Sequence, residues 1–217
     1  MVKEEGDRQA ESAGASRRQR GWLDLDGPDI MVIIHLETFT KAATDLAQFL
    51  AALRRIDPTG GPRAGRGVPL AQRDISTREA IQALRGMIDV DAANTVWEAA
   101  LEAPVWHGPP VWVHGDMLPG NLLVKQGRLS AVIDFGGVGL GDPACDLMIA
   151  WGLFSGESRD VFRAALSVDG ATWARGRGWA LSQALIFIPY YLDTNPVGVA
   201  IARRTIDEIL ADQHASG

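Results

Sequence analysis

Apolar residues recur at the spacing of an α-helix along most of the chain. In one early segment, Leu46, Phe49, Leu50 and Leu53 lie three or four residues apart, so they share one face of a helix. Thr38 or Thr40 can cap the start of that helix. Similar patterns elsewhere predict further helices. The predicted helices cover approximately residues 38–56, 77–87, 91–102, 142–154, 158–166, 172–190 and 197–211.

Strand patterns are confined to short runs of apolar and β-branched residues. Such runs lie at residues 29–36 and 111–113 and predict two strands. Two more, at 121–124 and 129–133, flank a turn in which Gly127 can take a positive φ, so they predict a β-hairpin. The predicted fold class is therefore α+β, mostly helical with a small hairpin.

Polarity divides the chain into a tail and one folded unit. Residues 1–21 are polar and charged without an apolar period, which predicts a disordered tail ahead of a single domain over 22–217. Residues 57–71 are rich in proline and glycine and predict a connector. With 47% hydrophobic residues the chain can build a core, and we see neither a secretory signal nor an apolar run long enough to span a membrane. These features favour a cytoplasmic protein.

The net charge is −6, which argues against a nucleic-acid partner and fits a small-molecule substrate that carries positive charge. Mild acidity also simply favours solubility, and charge alone does not separate the two interpretations. Glu157 and Asp193 are candidate contacts for substrate amines, although each is also an ordinary surface charge. The single cysteine, Cys145, is expected to be a buried apolar residue and cannot form an internal disulfide. Nothing in the sequence indicates the oligomeric state.

Two motifs carry the candidate chemistry. Residues 114–121 read HGDMLPGN, and residues 133–136 read IDFG. Asp116, Asn121 and Asp134 have the spacing that a kinase catalytic loop uses, with Asp116 placed to accept the proton of a substrate hydroxyl. Asn121 and Asp134 would hold Mg²⁺ against the phosphates of a nucleotide, and the predicted hairpin brings these two residues to the same open end.

Three neighbouring residues are expected to support the motifs. His114 is more typical of a structural histidine that braces the loop by hydrogen bonds than of the base. Asp142 followed by Pro143 is typical of a helix start, with aspartate at the N-cap. Asp146 lies one helical turn later, so its carboxylate can face the same side as that of Asp142, toward the catalytic loop.

The segment from about Val111 to Trp151 resembles the aminoglycoside phosphotransferase family, whose members share the protein-kinase-like fold. The matching residues are HGDMLPGN and the stretch VIDFGGVGLGDPACDL at 132–147. The resemblance implies an enzyme that transfers phosphate to an alcohol group, using Mg²⁺ and ATP or GTP. Relatives of this fold phosphorylate aminoglycosides, choline, homoserine, methylthioribose or macrolides, so the acceptor does not follow from the motifs.

The resemblance also implies roles for individual residues. In the family, the aspartate of the HGD motif is the catalytic base, which corresponds to Asp116. The metal ligands of the family correspond to Asn121 and Asp134. The second aspartate of the GDPACD stretch, Asp146, corresponds to a residue that helps brace the catalytic loop.

The match is to the C-terminal lobe of the kinase-like fold. Full-length relatives also carry an N-terminal lobe with a phosphate-covering loop and a lysine for the α- and β-phosphates. The lysines here are Lys3, Lys41 and Lys125, and none follows a glycine-rich loop on a strand; residues 22–27 match the hinge between the lobes only loosely. Two hypotheses follow: an active phosphotransferase, or a truncated, weak or inactive relative that is a ligand-binding module or a gene fragment.

Overall fold

A computed structural model describes residues 39–215. The predictions for the tail at 1–21, the strand at 29–36, Lys3 and the hinge at 22–27 lie outside the described residues. The α-helices within the described range are α1 Phe39–Leu53, α2 Asp74–Ala83, α3 Val90–Glu102, α4 Ile149–Gly152, α5 Gly156–Leu166, α6 Gly170–Tyr191 and α7 Pro196–Ala215. The strands are β1 Val111–Val113, β2 Leu122–Lys125, β3 Arg128–Val132 and β4 Gly139–Gly141. Short 3-10 helices cover Leu70–Arg73, Pro119–Asn121, Phe135–Gly137 and Pro143–Met148.

The strands form two antiparallel pairs. In the predicted hairpin, β2 pairs with β3 in a register that sets Leu122 opposite Val132. Its turn holds Gln126 at φ 50° and Gly127 at φ 72°, and two successive positive values are typical of the type I′ turn that suits the twist of a hairpin. The hairpin prediction and the positive φ of Gly127 are therefore confirmed.

Strand β4 was not predicted, because its sequence Gly-Leu-Gly has a low intrinsic preference for strands. It pairs with β1, with Leu140 opposite Trp112. A Cβ atom on Gly139 would come within 2.6 Å of the backbone nitrogen of Ala64. The strand therefore depends on close backbone approach, which only glycine allows.

Helix α6 forms the centre of the core. Trp179, Leu181 and Leu185 on this helix are fully buried. Two glycines bring its backbone close to its neighbours: a Cβ atom on Gly176 would lie 2.7 Å from the Cβ of Leu147, and one on Gly178 would lie 2.6 Å from a methyl group of α3. The segment Pro143–Met148, which is buried at every residue, is thereby held against α6.

The prediction of one helix over 142–154 is wrong. Residues 143–148 form a 3-10 helix, and α4 then ends at Gly152. Arg159 of α5 donates hydrogen bonds to the carbonyl oxygens of Ala150, at 3.0 Å, and Phe154, at 3.1 Å. A side chain from the next helix thus satisfies carbonyl groups that a longer helix would have used, which lets the chain turn early.

Other helix boundaries differ by a few residues. Helix α1 ends at Leu53 rather than at residue 56, and α2 begins at Asp74 and ends at Ala83, ahead of Gly86 at φ 86°. Cys145 is buried, as predicted. Among residues 39–215, no helix is both long and apolar enough to cross a bilayer.

Candidate active site

The first half of the site is the loop that follows β1. Asp146 is fully buried beneath this loop and accepts hydrogen bonds from the backbone nitrogens of His114, at 2.9 Å, and Gly115, at 2.8 Å. The predicted orientation of Asp146 toward the loop is confirmed. Burial raises the pKa of the Asp146 carboxyl group, and the two N–H donors and the charge of Arg54 only partly oppose that effect.

His114 joins this loop to the strand that leads to Asp134. Its Nδ1 accepts a hydrogen bond from the backbone nitrogen of Asp116 at 3.2 Å, so the other ring nitrogen, Nε2, carries the proton and donates to the carbonyl oxygen of Ile133 at 3.0 Å. The ring is fully buried and packs edge-on against Phe135, with 4.9 Å between centroids. Because both nitrogens are engaged within the loop, the geometry is that of the expected structural histidine.

The side chain of Asn121 is hydrogen-bonded to Asp116. Its Nδ2 donates to the carbonyl oxygen of Asp116 at 2.8 Å and to Oδ2 of the same residue at 3.2 Å. The amide nitrogen is therefore directed at Asp116, which leaves Oδ1 as the atom that can ligate a cation. The backbone nitrogen of Ile133 also donates to the carbonyl oxygen of Asn121 at 2.9 Å, so Asn121 and Asp134 lie at the same open end of the hairpin, as predicted.

Asp134 has an unusual backbone conformation for a residue with a side chain. Its φ is 61° and its ψ is 65°, in the left-handed region that few non-glycine residues adopt. The residue is exposed, and a 3-10 turn over Phe135–Gly137 follows it directly. The chain thus reverses immediately after presenting this carboxylate.

A glycine contact joins the two halves of the site. Gly115 has φ 77°, and a Cβ atom there would lie 2.5 Å from the carbonyl oxygen of Gly137. The loop that carries Asp116 and the turn that follows Asp134 therefore meet backbone to backbone. A side chain at position 115 would push the two segments apart and so separate the carboxylates of Asp116 and Asp134.

The donor set fits Mg²⁺ better than a metal held entirely by protein. Within the described range, no group of three or more His, Cys, Asp or Glu side chains could hold an ion. Asp134 and Asn121 together supply one carboxylate and one amide oxygen. Mg²⁺ commonly takes one or two protein ligands and completes its octahedron with water and substrate phosphates. The residues present therefore fit a magnesium ion that also ligates a nucleotide.

Apolar side chains are exposed beside these ligands. Leu123 is 45% exposed and follows Asn121 by two residues, whereas Ile133 is 39% exposed and directly precedes Asp134. Leu123 lies in β2, the strand that directly follows Asn121. The two side chains form an exposed apolar strip that neighbours the candidate metal ligands along the chain.

Sequence reasoning missed two arginines of the site. Arg66, in the connector, donates from Nη1 to Oδ1 of Asp116 at 2.7 Å and to the carbonyl oxygen of Gly115 at 2.9 Å. Arg175, on α6, donates from Nε to Oδ2 of Asp142 at 2.7 Å, and this ion pair is buried. The partners are separated by 50 and 33 residues, so no local pattern signals either pair.

The expected helix cap at Asp142 is present. Its Oδ1 accepts a hydrogen bond from the backbone nitrogen of Ala144 at 2.9 Å, and Pro143 occupies the first helical position. The carboxylate therefore serves both as the cap and as the partner of Arg175. The buried ion pair with Arg175 therefore gives Asp142 a structural role beyond that of the cap.

The structure does not bring the two candidate substrate contacts into the loop. Glu157 is exposed in the first turn of α5, and Asp193 is exposed in the turn between α6 and α7. In the described part of the chain, neither has a hydrogen bond or ion pair with the residues of the catalytic loop. Their role in substrate binding stays a prediction.

The structure brings the candidate residues Asp116, Asn121 and Asp134 to one open end of the hairpin. The sequence model of the phosphotransferase enzyme family matches residues 25–179. Because that range is more than half of the chain, the chain belongs to the phosphotransferase enzyme family.

Among individual relatives, the aminoglycoside 3'-phosphotransferase of Escherichia coli is 35% identical over an alignment of 75 positions, and the match covers 30% of this chain and 28% of that protein. A solved macrolide 2'-phosphotransferase type I superposes with a TM-score of 0.53 and 21% identity over 85% of this chain and 64% of its own. The GDP and kanamycin complex of APH(2")-IIia gives a TM-score of 0.54 and 16% identity over 82% of this chain and 63% of its own.

These likenesses confirm the predicted fold, a mostly helical α+β unit of the kinase-like class. The chain spans just under two thirds of the length of the two solved relatives.

Proposed function

We propose that the protein transfers the γ-phosphate of ATP or GTP to a hydroxyl group of a small, cationic molecule such as an aminoglycoside. One observation carries this proposal: Asp116 and Asn121 are hydrogen-bonded to each other, and the hairpin sets Asp134 beside Asn121. A base and two oxygen donors for Mg²⁺ thus converge on one open edge of the fold.

Each residue has a distinct task in this chemistry. Asp116 accepts the proton of the acceptor hydroxyl, whose oxygen then attacks the γ-phosphorus. The side-chain oxygens of Asn121 and Asp134 would hold Mg²⁺, which would neutralise charge on the phosphates. His114 and Asp146 keep the loop in place through their buried hydrogen bonds.

The exposed apolar strip supports a nucleotide as the donor. Leu123 and Ile133 can pack against the base while the neighbouring ligands hold the phosphates. The solved relative APH(2")-IIia forms a complex with GDP, which supports a guanine nucleotide as an alternative to ATP. The strip itself has no polar group that would choose between the two bases.

The acceptor is proposed from charge and from the relatives. A net charge of −6 favours a cation, and the APH(2")-IIia complex also contains kanamycin. Glu157 and Asp193 are proposed to contact substrate amines. The protein would act in the cytoplasm, where the nucleotides are supplied, and phosphorylation of an antibiotic there would give resistance.

The test is a transfer assay with γ-labelled ATP and GTP against kanamycin, gentamicin and a macrolide. We expect Asp116→Asn to abolish transfer and to keep the fold, because the proton acceptor is lost while the braces of the loop, Asp146 and His114, are unchanged. Asp160→Asn, which removes an exposed carboxylate on α5, is the matched control and should transfer normally.

Two results would change the proposal. Substantial transfer by the Asp116→Asn variant would remove Asp116 from the role of base. Binding of kanamycin by a wild-type protein that binds no nucleotide would favour the alternative, a ligand-binding module without turnover.

A further inference from the structure

A positively charged side chain from the connector reaches the proposed catalytic base. Nη1 of Arg66 lies 2.7 Å from Oδ1 of Asp116 and 2.9 Å from the carbonyl oxygen of Gly115. The two side chains are 30% and 24% exposed, so both border the open side of the loop. This contact belongs neither to the metal ligands nor to the buried braces of the loop.

The backbone on either side of Arg66 is fixed. The nitrogen of Leu140 donates to the carbonyl oxygen of Pro62 at 2.7 Å, and the nitrogen of Asp142 donates to the carbonyl oxygen of Gly67 at 2.8 Å. Gly67 has φ 87°, and a Cβ atom there would lie 3.2 Å from the nitrogen of Asp142. The connector is thus anchored before and after Arg66.

Stability alone does not account for this placement. An ion pair exposed to this degree contributes only about 0–1 kcal/mol. The loop is already held by Asp146, which accepts two backbone N–H groups, and by His114. Arg66 also has N–H donors beyond Nη1 that can serve a second, anionic partner.

The distances expected around the reacting atoms indicate that this partner is a phosphate group. A general base lies about 2.6–3.2 Å from the hydroxyl it deprotonates, and the reacting atoms approach to about 3–3.5 Å. A guanidinium that is hydrogen-bonded to the base is therefore within reach of oxygens on the phosphorus under attack. Both contacts of Arg66 in the described part of the chain use Nη1, so Nε and Nη2 remain to meet a phosphate with the planar fork that suits it.

We propose that Arg66 is a catalytic residue that binds the phosphoryl group during its transfer, an inference that rests on the proposed function. In the step, the acceptor oxygen bonds to the γ-phosphorus and its proton goes to Asp116. The bond between that phosphorus and the oxygen bridging to the β-phosphate breaks, and the nucleoside diphosphate leaves with the electron pair. Arg66 stabilises the negative charge on the phosphoryl oxygens, as arginines supplied to other phosphoryl-transfer sites do.

The test compares wild-type protein with Arg66→Gln, Arg66→Lys and the control Arg63→Gln. Arg63 is an exposed arginine on the same connector, so the control removes an equal charge away from the loop. Each protein is titrated with MgADP, and with MgADP plus aluminium fluoride, which imitates the phosphoryl group in transfer. Circular dichroism establishes that each variant is folded.

We expect all four proteins to bind MgADP alike. Aluminium fluoride should tighten binding to the wild type and to Arg63→Gln, and Arg66→Gln should lose that gain, on the order of 100-fold. Arg66→Lys should recover part of this tightening, because lysine keeps the positive charge but lacks the planar N–H donors of a guanidinium group. In the transfer assay, Arg66→Gln should lower kcat on the order of 10²- to 10³-fold with little change in KM for the nucleotide.

Two different failures are distinguishable. Equal tightening by aluminium fluoride in the wild type and in Arg66→Gln would overturn the role of Arg66 and leave the proposed function standing. If the wild type binds no MgADP, the proposed function fails, and the role of Arg66 falls with it.

Discussion

The contact between Gly115 and Gly137 makes Gly115→Ala the most informative single substitution. Alanine at φ 77° costs about 1–2 kcal/mol, because its Cβ crowds the backbone in the left-handed region. The new Cβ would also lie 2.5 Å from the carbonyl oxygen of Gly137, whereas an ordinary contact begins at 3.4 Å. The clash is with backbone rather than with a flexible side chain, so the two segments must move apart by close to an ångström.

That movement separates Asp116 from Asp134. A displacement of about 1 Å in a catalytic site can cost on the order of 100-fold in rate. We therefore expect Gly115→Ala to lower the free energy of unfolding by at least about 2 kcal/mol and to reduce transfer about 100-fold. Unfolding in urea followed by tryptophan fluorescence, and the transfer assay, measure the two effects.

Gly120→Ala is the matched control in the same loop. A Cβ atom at Gly120 has no neighbour within 4 Å, and Gly120 is not among the glycines with positive φ. This variant should keep the stability and activity of the wild type. If Gly115→Ala behaved like Gly120→Ala in both assays, the close approach of the two segments would not hold the site together.

Two further predictions concern the buried carboxylates. Asp142→Asn leaves Arg175 buried without its ionic partner and should lower the free energy of unfolding by about 3 kcal/mol in urea titrations. The exposed pair of Asp45 with Lys41 is the control, and Asp45→Asn should change stability by less than about 1 kcal/mol; similar losses would contradict the account. Burial raises the pKa of Asp146, so the folded state holds its proton to higher pH than the unfolded state does. The free energy of unfolding of the wild type, measured relative to that of Asp146→Asn, should therefore fall as pH rises above about 4, the ordinary pKa of an aspartate, and a rise would contradict the raised pKa.

Local patterns in the sequence were enough to predict most of the helices and the hairpin. The spacing of Leu46, Leu50 and Leu53 predicts a buried face, and all three residues are buried in α1. The hairpin follows from two apolar runs around Gly127. Because the hairpin fixes which residues share an end, the proximity of Asn121 and Asp134 also follows from sequence.

Contacts between distant segments could not be predicted in this way. Strand β4 exists because glycines let the connector and β1 approach its backbone, and such an approach leaves no periodic pattern. The pair of Arg66 with Asp116 joins residues 50 positions apart through that same docking. Likewise, α4 ends early beside Arg159, on the next helix, which donates a hydrogen bond to the carbonyl oxygen of Ala150.

The proposed function requires Asp134 and Asn121 to hold a magnesium ion and a nucleotide at the open end of the hairpin. Calorimetric titration of the purified protein with ATP and with GTP, in the presence and absence of Mg²⁺, measures this binding. We expect Mg²⁺-dependent binding by the wild type and by the control Asp160→Asn, and loss of the Mg²⁺ dependence in Asp134→Asn. Equal affinity in Asp134→Asn, or no binding by the wild type up to millimolar nucleotide, would contradict it.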